Sequence, residues 1–466
     1  MNDKLEEFKE RIRGKKVAVL GIGISNTPLL RYLSELGVDI TAFDKAAYDE
    51  LKQTLEKLNG LDLKYSLGEN YLKNLKGFDV IFKTPKVRFD IPELIRERAR
   101  GADITSEMEA FFELCPAQIF AVTGSDGKTT TTTLIYNMLK EQGYKCWLGG
   151  NIGIPLLSRI DEIKESDKVV LELSSFQLHT MRRSPSVAVI TNISPNHLDV
   201  HKSMDEYIEA KKNIYKFQNE SDKVVINYDN EITRNLSGEV KGKTVYFSRV
   251  NALAGGAVVE KGKLVYKNES GSIEIISTEE ILLPGVHNIE NYLAAISAVI
   301  DYVEIESIYK VAATFKGVEH RIELVREING VKFYNSSIDS SPNRTIAALN
   351  TFKQKVILIA GGMDKNIPYD DMGAILVEKV KCLILIGPTG EKIRKALHDE
   401  VVRTGQGKDI KIIKCTTYEE VVKAAYGNAT YGDIIILSPA STSFDMFKNF
   451  EERGNRFKDI VNSINS

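Results

Sequence analysis

Short apolar runs recur along the chain. Each is followed by glycine or small polar residues, then by a stretch in which apolar positions return every third or fourth residue. The pattern predicts a strand over 17–20, a helix carrying Leu29, Leu30, Tyr32 and Leu33, and a strand over 38–43. It repeats as a strand over 80–82, a helix over 107–113, a strand over 119–122 and a helix over 129–140. Strands over 168–173, 187–190 and 224–227 follow, with a helix over 207–217. Mixed polar and apolar stretches with glycines over 247–276 predict small β-hairpins. A helix rich in Ala and Ile opens near 285–291. Strands over 356–360, 382–386, 410–413 and 434–437, with helices between them, predict a further α/β domain with a mostly parallel sheet. Leu5, Phe8 and Ile12 share one face of a charged N-terminal helix, and Phe447, Phe450 and Phe457 mark a closing helix.

At 466 residues the chain has room for about three domains. Boundaries fall at 1–106, 107–317 and 318–466. A composition of 43% hydrophobic and 27% charged residues is ordinary for a protein that buries substantial cores. The net charge of −2 argues against a general nucleic-acid or anionic-membrane binder. Cys115, Cys146, Cys382 and Cys415 are scattered without a CxxC pair, which suits reduced thiols and argues against a zinc cluster. The start lacks the apolar core of a signal peptide, and no apolar run approaches the roughly 18 residues of a spanning helix. A cytoplasmic protein without membrane insertion is expected.

Candidate chemistry concentrates at strand ends. After the strand at 119–122 comes Thr123-Gly124-Ser125-Asp126-Gly127-Lys128-Thr129-Thr130. Glycines let backbone N–H groups approach phosphate oxygens, and a helix start adds unpaired N–H groups and a positive dipole end. Lys128 suits β/γ-phosphates and the Thr129 hydroxyl suits Mg²⁺. The spacing is not the standard one, because two residues rather than four separate Gly124 from Gly127. Glu172 ends a strong apolar strand, the position of a carboxylate facing Mg²⁺ beside a phosphate loop. His197 follows the strand at 187–190, where α/β ligand sites collect, although a capping or loop histidine reads equally well. Lys211 and Lys212 lie on a helix, where lysine is normally solvated. Near the N-terminus, Gly21-Ile22-Gly23 and Asp44 resemble a Rossmann opening, but Asn26 stands where the third glycine belongs.

Taken in order, these blocks resemble the Mur ligase family of bacterial cell-wall synthesis. They are TGSDGKTT at 123–130, GGNIG at 149–153, ELSSFQL at 172–178 and NISPNHLD at 192–199, followed by YIEAK at 207–211 and GVHNIEN at 285–291. EHRIE at 319–323, GGMDK at 361–365 and LSPASTSFDMFKNFEERGNRF at 437–457 complete the set, which is most like the family's D-glutamate-adding member. The resemblance implies an α/β chain of three domains. A Rossmann-like N-terminal domain would bind the UDP substrate, a central P-loop-type mononucleotide-binding domain would bind ATP, and a Rossmann-like C-terminal domain would bind the amino acid. It implies an ATP- and Mg²⁺-dependent ligase, monomeric, that joins D-glutamate to UDP-N-acetylmuramoyl-L-alanine through an acyl phosphate.

By the same resemblance, Gly124 to Thr130 with Asn288, Asn291 and Arg321 contact the nucleotide. A second Mg²⁺ sits near His197 and a carbamylated Lys211. Ser25, Asn151 and Ser174 face the UDP-sugar substrate, with Lys45 at the uridine. Lys365, Ser443, Phe444 and Phe450 form the D-glutamate pocket. The short junction around Gly317 would act as a hinge. Two segments depart from the pattern the family often has. Thr84-Pro85-Lys86 replaces Ser-Pro-Gly, and Ser336 replaces an aspartate, with an acid three residues later at Asp339. A sibling ligase, a folylpolyglutamate synthase-like ligase and a relative that binds nucleotide without catalysis are the alternatives.

Overall fold

The computed structural model describes residues 3–23, 25–195, 200–364 and 367–464. The chain forms two compact units, Met1–Thr278 with Ile289–Ala312, and Glu279–Asn288 with Ala313–Ser466. The first unit carries two sheets and the second carries one.

The first sheet is wholly parallel. Its strands are β1 (Lys16–Leu20), β2 (Asp39–Asp44), β3 (Leu63–Leu67), β4 (Val80–Lys83) and β5 (Asp103–Thr105), in the order β3-β2-β1-β4-β5. Leu29, Leu30 and Leu33 of the helix Asn26–Glu35 are buried against Val17 and Val19. Leu5, Phe8 and Ile12 of the helix Asp3–Ile12 are buried as their spacing predicts.

The second sheet has nine strands. They are β6 (Gln118–Thr123), β7 (Cys146–Gly150), β8 (Lys168–Glu172), β9 (Val187–Ile190), β10 (Lys223–Asn227), β11 (Lys243–Ser248), β12 (Gly256–Glu260), β13 (Lys263–Asn268) and β14 (Gly271–Ser277). The order is β14-β13-β12-β11-β10-β9-β6-β8-β7. The hairpins expected over 247–276 are one antiparallel meander, β12 to β14, appended to a parallel sheet through β11. The third sheet, in the second unit, is β15 (Glu323–Ile328), β16 (Val331–Asn335), β17 (Val356–Ala360), β18 (Val380–Leu385), β19 (Lys411–Lys414) and β20 (Ile434–Leu437). Its order is β15-β16-β20-β17-β18-β19, parallel except for the β15–β16 hairpin.

Each sheet places a reversal of strand order beside its candidate chemistry. In the second sheet the chain leaves β6 towards β7 and β8, then returns to β9 on the other side of β6. The ends of neighbouring loops diverge at such a point and leave a crevice at the carboxyl ends of the strands. β1 and β4 make the same arrangement in the first sheet, and β17 and β20 in the third.

Several elements differ from the pattern reading. Gly149 and Gly150 belong to β7 rather than to a turn, and β3, β5 and the β15–β16 hairpin carry weak apolar signals. The helix expected over 207–217 spans Met204–Lys212, with Ser203 Oγ accepting Glu206 N at its start. Beyond it the chain continues in tighter turns, with Ile214 N donating to Lys211 O at 3.1 Å and Tyr215 N to Lys212 O at 3.0 Å, and the Asn213 amide donates to Leu178 O at 2.9 Å. All four cysteines are free thiols. Among the described residues no helix is long and apolar enough to cross a membrane.

Candidate active site

The loop after β6 is shaped by space before it is shaped by charge. Gly127 has φ +77° and caps the helix Lys128–Glu141. A Cβ there would lie 2.2 Å from Asn291 Oδ1. Gly124 is as tight, since a Cβ would lie 1.9 Å from Thr191 Oγ1. The segment after β9 holds the loop from the side. Ser125 N donates to Asn192 O at 2.9 Å, Asp126 N to Asn192 Oδ1 at 2.9 Å, and Thr191 Oγ1 to Asp126 O at 2.6 Å. Asn291 enters from the helix Val286–Val299, where its Oδ1 accepts Thr131 Oγ1 at 3.2 Å. Lys128 Nζ bonds the Gly124 and Ser125 carbonyls at 3.0 and 2.9 Å.

Glu172 ends β8 and is buried. Thr129 Oγ1 donates to its Oε2 at 2.7 Å, and Asn151 Nδ2 to its Oε1 at 2.8 Å. A buried carboxylate needs such donors. The bond between Thr129 and Glu172 unites the two oxygen donors that the sequence assigns to a metal. Ser174, just beyond, accepts Gln177 N and caps the short helix Ser175–Leu178.

Lys211 is not a solvated helix lysine. Its side chain is 1% exposed, and Nζ donates to Gly124 O at 2.8 Å and Thr123 Oγ1 at 3.3 Å. Burial, followed by the like charge of Lys128, holds its ammonium well below the usual lysine range, against the pull of Asp126 and Glu172. Glu172 from β8 and Lys211 from the helix Met204–Lys212 therefore meet the loop that carries Lys128 and Thr129.

Sequence reasoning missed the residues that brace this centre. Tyr207 OH pairs with Ser125 Oγ at 2.9 Å, and its ring meets both Lys211 Nζ and the edge of His201. His201 is buried, stacks on Phe176 and shares a 2.9 Å hydrogen bond between Nε2 and Ser175 Oγ. Tyr207 lies inside a recognised block, but nothing in the spacing marks His201. His197 and Lys365 lie outside the described residues.

The remaining candidates are placed separately. Ser25 is exposed at the N-cap position of the helix Asn26–Glu35 and its side chain makes no capping bond; Lys45 and Lys86 are exposed beyond β2 and β4. Asp44 uses its carboxylate on the glycine turn, accepting Ile22 N at 2.6 Å and Ala46 N at 2.9 Å. Asn26, in place of a third glycine, is buried and donates to Leu20 O and Gly21 O at 3.1 and 3.0 Å. In the second unit, Asn288 donates to Pro284 O at 2.5 Å and Arg321 is exposed. Ser443 is buried after β20, Phe444 is 61% exposed, and Phe450 sets its ring edge-on to His320 at 6.0 Å. Arg453, fully buried, ties Ser337 Oγ and O to Ser441 O at 2.7–3.0 Å.

Taken together, these features define an α/β scaffold with a glycine-bounded loop, two lysines and a hydrogen-bonded carboxylate at its strand ends. The family model "Mur ligase middle domain" matches residues 122–299, and "Mur ligase, glutamate ligase domain" matches 320–441. A protein of Acetivibrio thermocellus named UDP-N-acetylmuramoylalanine--D-glutamate ligase is 68% identical over the whole of both chains, and one of the same name from Clostridium novyi is 53% identical over the same extent. The chain belongs to the Mur ligase family. Among solved structures, UDP-N-acetylmuramate-alanine ligase of Thermotoga maritima superposes with a TM-score of 0.58 at 21% identity, covering 96% of this chain and 99% of that one. The MurF ligase of the same organism, in complex with ADP, gives 0.52 at 20%, covering 97% and 96%. These likenesses establish the shared three-sheet fold.

Two outcomes test this geometry. Gly127→Ala should destabilise the chain by at least about 1–2 kcal/mol, the cost of a left-handed residue with a side chain, read by denaturant unfolding. The native state sheds the Lys211 proton below the unfolded value of 10.5. Between its lowered folded pKa and 10.5 the unfolded chain binds more protons, so stability rises with pH by up to about 1.4 kcal/mol per unit. Lys211→Met should flatten that rise in unfolding midpoints measured in carbon-dioxide-free buffer.

Proposed function

We propose that the protein is an ATP-dependent amide ligase that joins D-glutamate to UDP-N-acetylmuramoyl-L-alanine in peptidoglycan biosynthesis. The observation that carries this reading is the meeting of Lys128, the Thr129–Glu172 pair and the buried Lys211 amine around the loop after β6. The full-length relatives named for this reaction support the choice of substrates. Three functional domains follow: 1–106 for the UDP substrate, 107–317 for ATP and 318–466 for D-glutamate. The protein would act in the cytoplasm as a monomer.

A carboxylate is a poor electrophile, and phosphorylation supplies its leaving group. An oxygen of the L-alanyl carboxylate attacks the γ-phosphorus of ATP, and ADP departs. The amine of D-glutamate then attacks the acyl carbon. The C–N bond forms, the nitrogen loses a proton to solvent, the tetrahedral intermediate collapses, and phosphate leaves with the C–O bond pair. Two anions must approach each other in the first step, so fixed positive charge and N–H donors determine its rate. Lys128 and the N–H groups at the start of the helix Lys128–Glu141 supply both. Asn288, Asn291 and Arg321 hold the nucleotide. Ser25, Lys45, Asn151 and Ser174 orient the UDP-sugar, and Lys365, Ser443, Phe444 and Phe450 the D-glutamate.

The residues present suit magnesium. Thr129 and Glu172 are hard oxygen donors already in contact, and among the described residues no group of three His, Cys, Asp or Glu forms a protein-only cage. Such a site matches an ion that keeps waters and shares phosphate oxygens. Magnesium, when bound, supplies Lewis-acid charge to the phosphates. His197 and Lys211 would hold a second ion. An unprotonated Lys211 amine can attack carbon dioxide, forming an N–C bond and releasing a proton, which gives a carbamate with oxygen donors.

Phosphate release is the direct test, with ATP, Mg²⁺ and UDP-N-acetylmuramoyl-L-alanine present and D-glutamate, L-alanine or a diamino acid added in turn. Release should depend on D-glutamate, and Lys128→Ala should abolish it. Release driven equally by another amino acid would sink the substrate assignment.

A further inference from the structure

The loop after β4 touches both sheets of the first unit. It begins over the first glycine turn, where Thr84 N donates to Leu20 O at 3.0 Å and a Cβ on Gly21 would lie 3.0 Å from Thr84 Cγ2. Four residues on, Arg88 grips the chain beyond β9. Its Nη1 donates to Val200 O at 2.9 Å and its Nη2 to Glu206 Oε1 at 2.8 Å. Nε and Nη2 also donate to the two Asp90 oxygens at 2.9 and 3.0 Å, and Lys202 Nζ donates to Asp90 Oδ2 at 2.7 Å. Phe89 sets its ring edge-on to His179 at 4.7 Å, just past the short helix Ser175–Leu178. His179 Nε2 lies 3.4 Å from Glu206 Oε1.

An isolated surface ion pair contributes little, because water screens it and two long side chains must be ordered. This cluster differs in three ways. The side chains of Arg88, Asp90 and Glu206 are only 24%, 26% and 19% exposed. Asp90 holds the planar guanidinium in a two-pronged fork, so Arg88 is oriented before it meets Val200 and Glu206. The Arg88 guanidinium also holds both carboxylates below their usual range.

Glu206 stands in the first turn of the helix Met204–Lys212, whose last turn puts Lys211 Nζ on Gly124 O. The next residue, Tyr207, pairs with Ser125 Oγ of the loop after β6. Adjacent residues of one helix thus hold the loop after β4 on one side and the loop after β6 on the other. A substrate that spans the carboxyl ends of both sheets reacts only when those ends keep register.

We infer that Arg88 is a positioning residue for acyl-phosphate formation. It fastens the loop after β4 to the helix that carries Lys211, and so fixes the register between the crevice of the first sheet and the loop after β6. The inference rests on the reading that the first crevice holds the UDP end of the substrate and the loop after β6 holds ATP.

The test pairs kinetics with binding of part-ligands, on the full chain. kcat is measured by phosphate release, and the Kd of UDP alone and of ADP alone by titration calorimetry. The variants are Arg88→Ala, Glu206→Ala and the two combined. Arg88→Ala should lower kcat about tenfold to a hundredfold, the scale of a small misplacement of reacting groups. The Kd values of UDP and ADP should stay within about twofold, because each part-ligand uses one crevice and needs no register. Glu206→Ala cuts the same contact from the other side and should show the same split, which decides the matter if Arg88→Ala fails to fold. The combined variant should fall no more than about twofold below Arg88→Ala, since the two residues act through one contact. Unchanged kcat in Arg88→Ala overturns the inference. So does a kcat loss accompanied by equal loss of UDP or ADP binding, the signature of a merely structural role, and so do losses that multiply in the combined variant. If the unsubstituted protein binds no UDP or releases no phosphate, the underlying reading fails, and the inference with it.

Discussion

The carboxylate of Glu172 is the constraint on which the centre depends. It is buried at the end of a central strand, where an unpartnered charge would be costly. The chain answers with a hydroxyl from the phosphate loop and an amide from the turn after β7. These two bonds join the carboxyl ends of three neighbouring strands through one side chain. The Thr129 position, and with it the first turn of the helix Lys128–Glu141, is set by the need to satisfy that charge. The same negative charge offsets part of the burden of holding two lysines, Lys128 and Lys211, against one loop.

Around this point the protein repeats one architectural solution three times. Parallel strands buried on both faces leave only their ends for polar chemistry, and a reversal of strand order opens a crevice there. Six of the nine motif blocks begin at the carboxyl ends of β6, β7, β8, β9, β17 and β20. Bracing is local in each case. Ser125, Tyr207 and His201 stiffen the phosphate loop, Asp44 and Asn26 the first glycine turn, and Arg453 the segments after β16 and β20.

Much of this was legible in the chain. Glycines at a strand-to-helix junction, a lysine and a threonine in sequence, and an acid closing an apolar strand have few physical explanations. Strands with continuous apolar runs, such as β6, β8, β9 and β17, announced themselves. β7 did not, because glycines at 149 and 150 read as a turn when seen without their neighbours. The β15–β16 hairpin escaped because a polar edge strand carries little alternation. Lys211 shows the limit most clearly. A lysine near the end of a charged helix is normally solvated, and only packing against Tyr207 and Gly124 turns it into a buried amine. His201 and Arg453 are similar, since burial of a polar side chain is decided by elements distant in sequence.

The first glycine turn differs in its wiring from the dinucleotide sites it resembles. In folds that bind nicotinamide dinucleotides, the acid after the second strand receives ribose hydroxyls, and a third glycine lets the helix start approach the diphosphate. Here both Asp44 oxygens are committed to backbone N–H groups of the turn, and the Asn26 amide occupies the place of the missing glycine. The first glycine turn is thus tied down by the two side chains that, in a dinucleotide site, would be left to the ligand or absent.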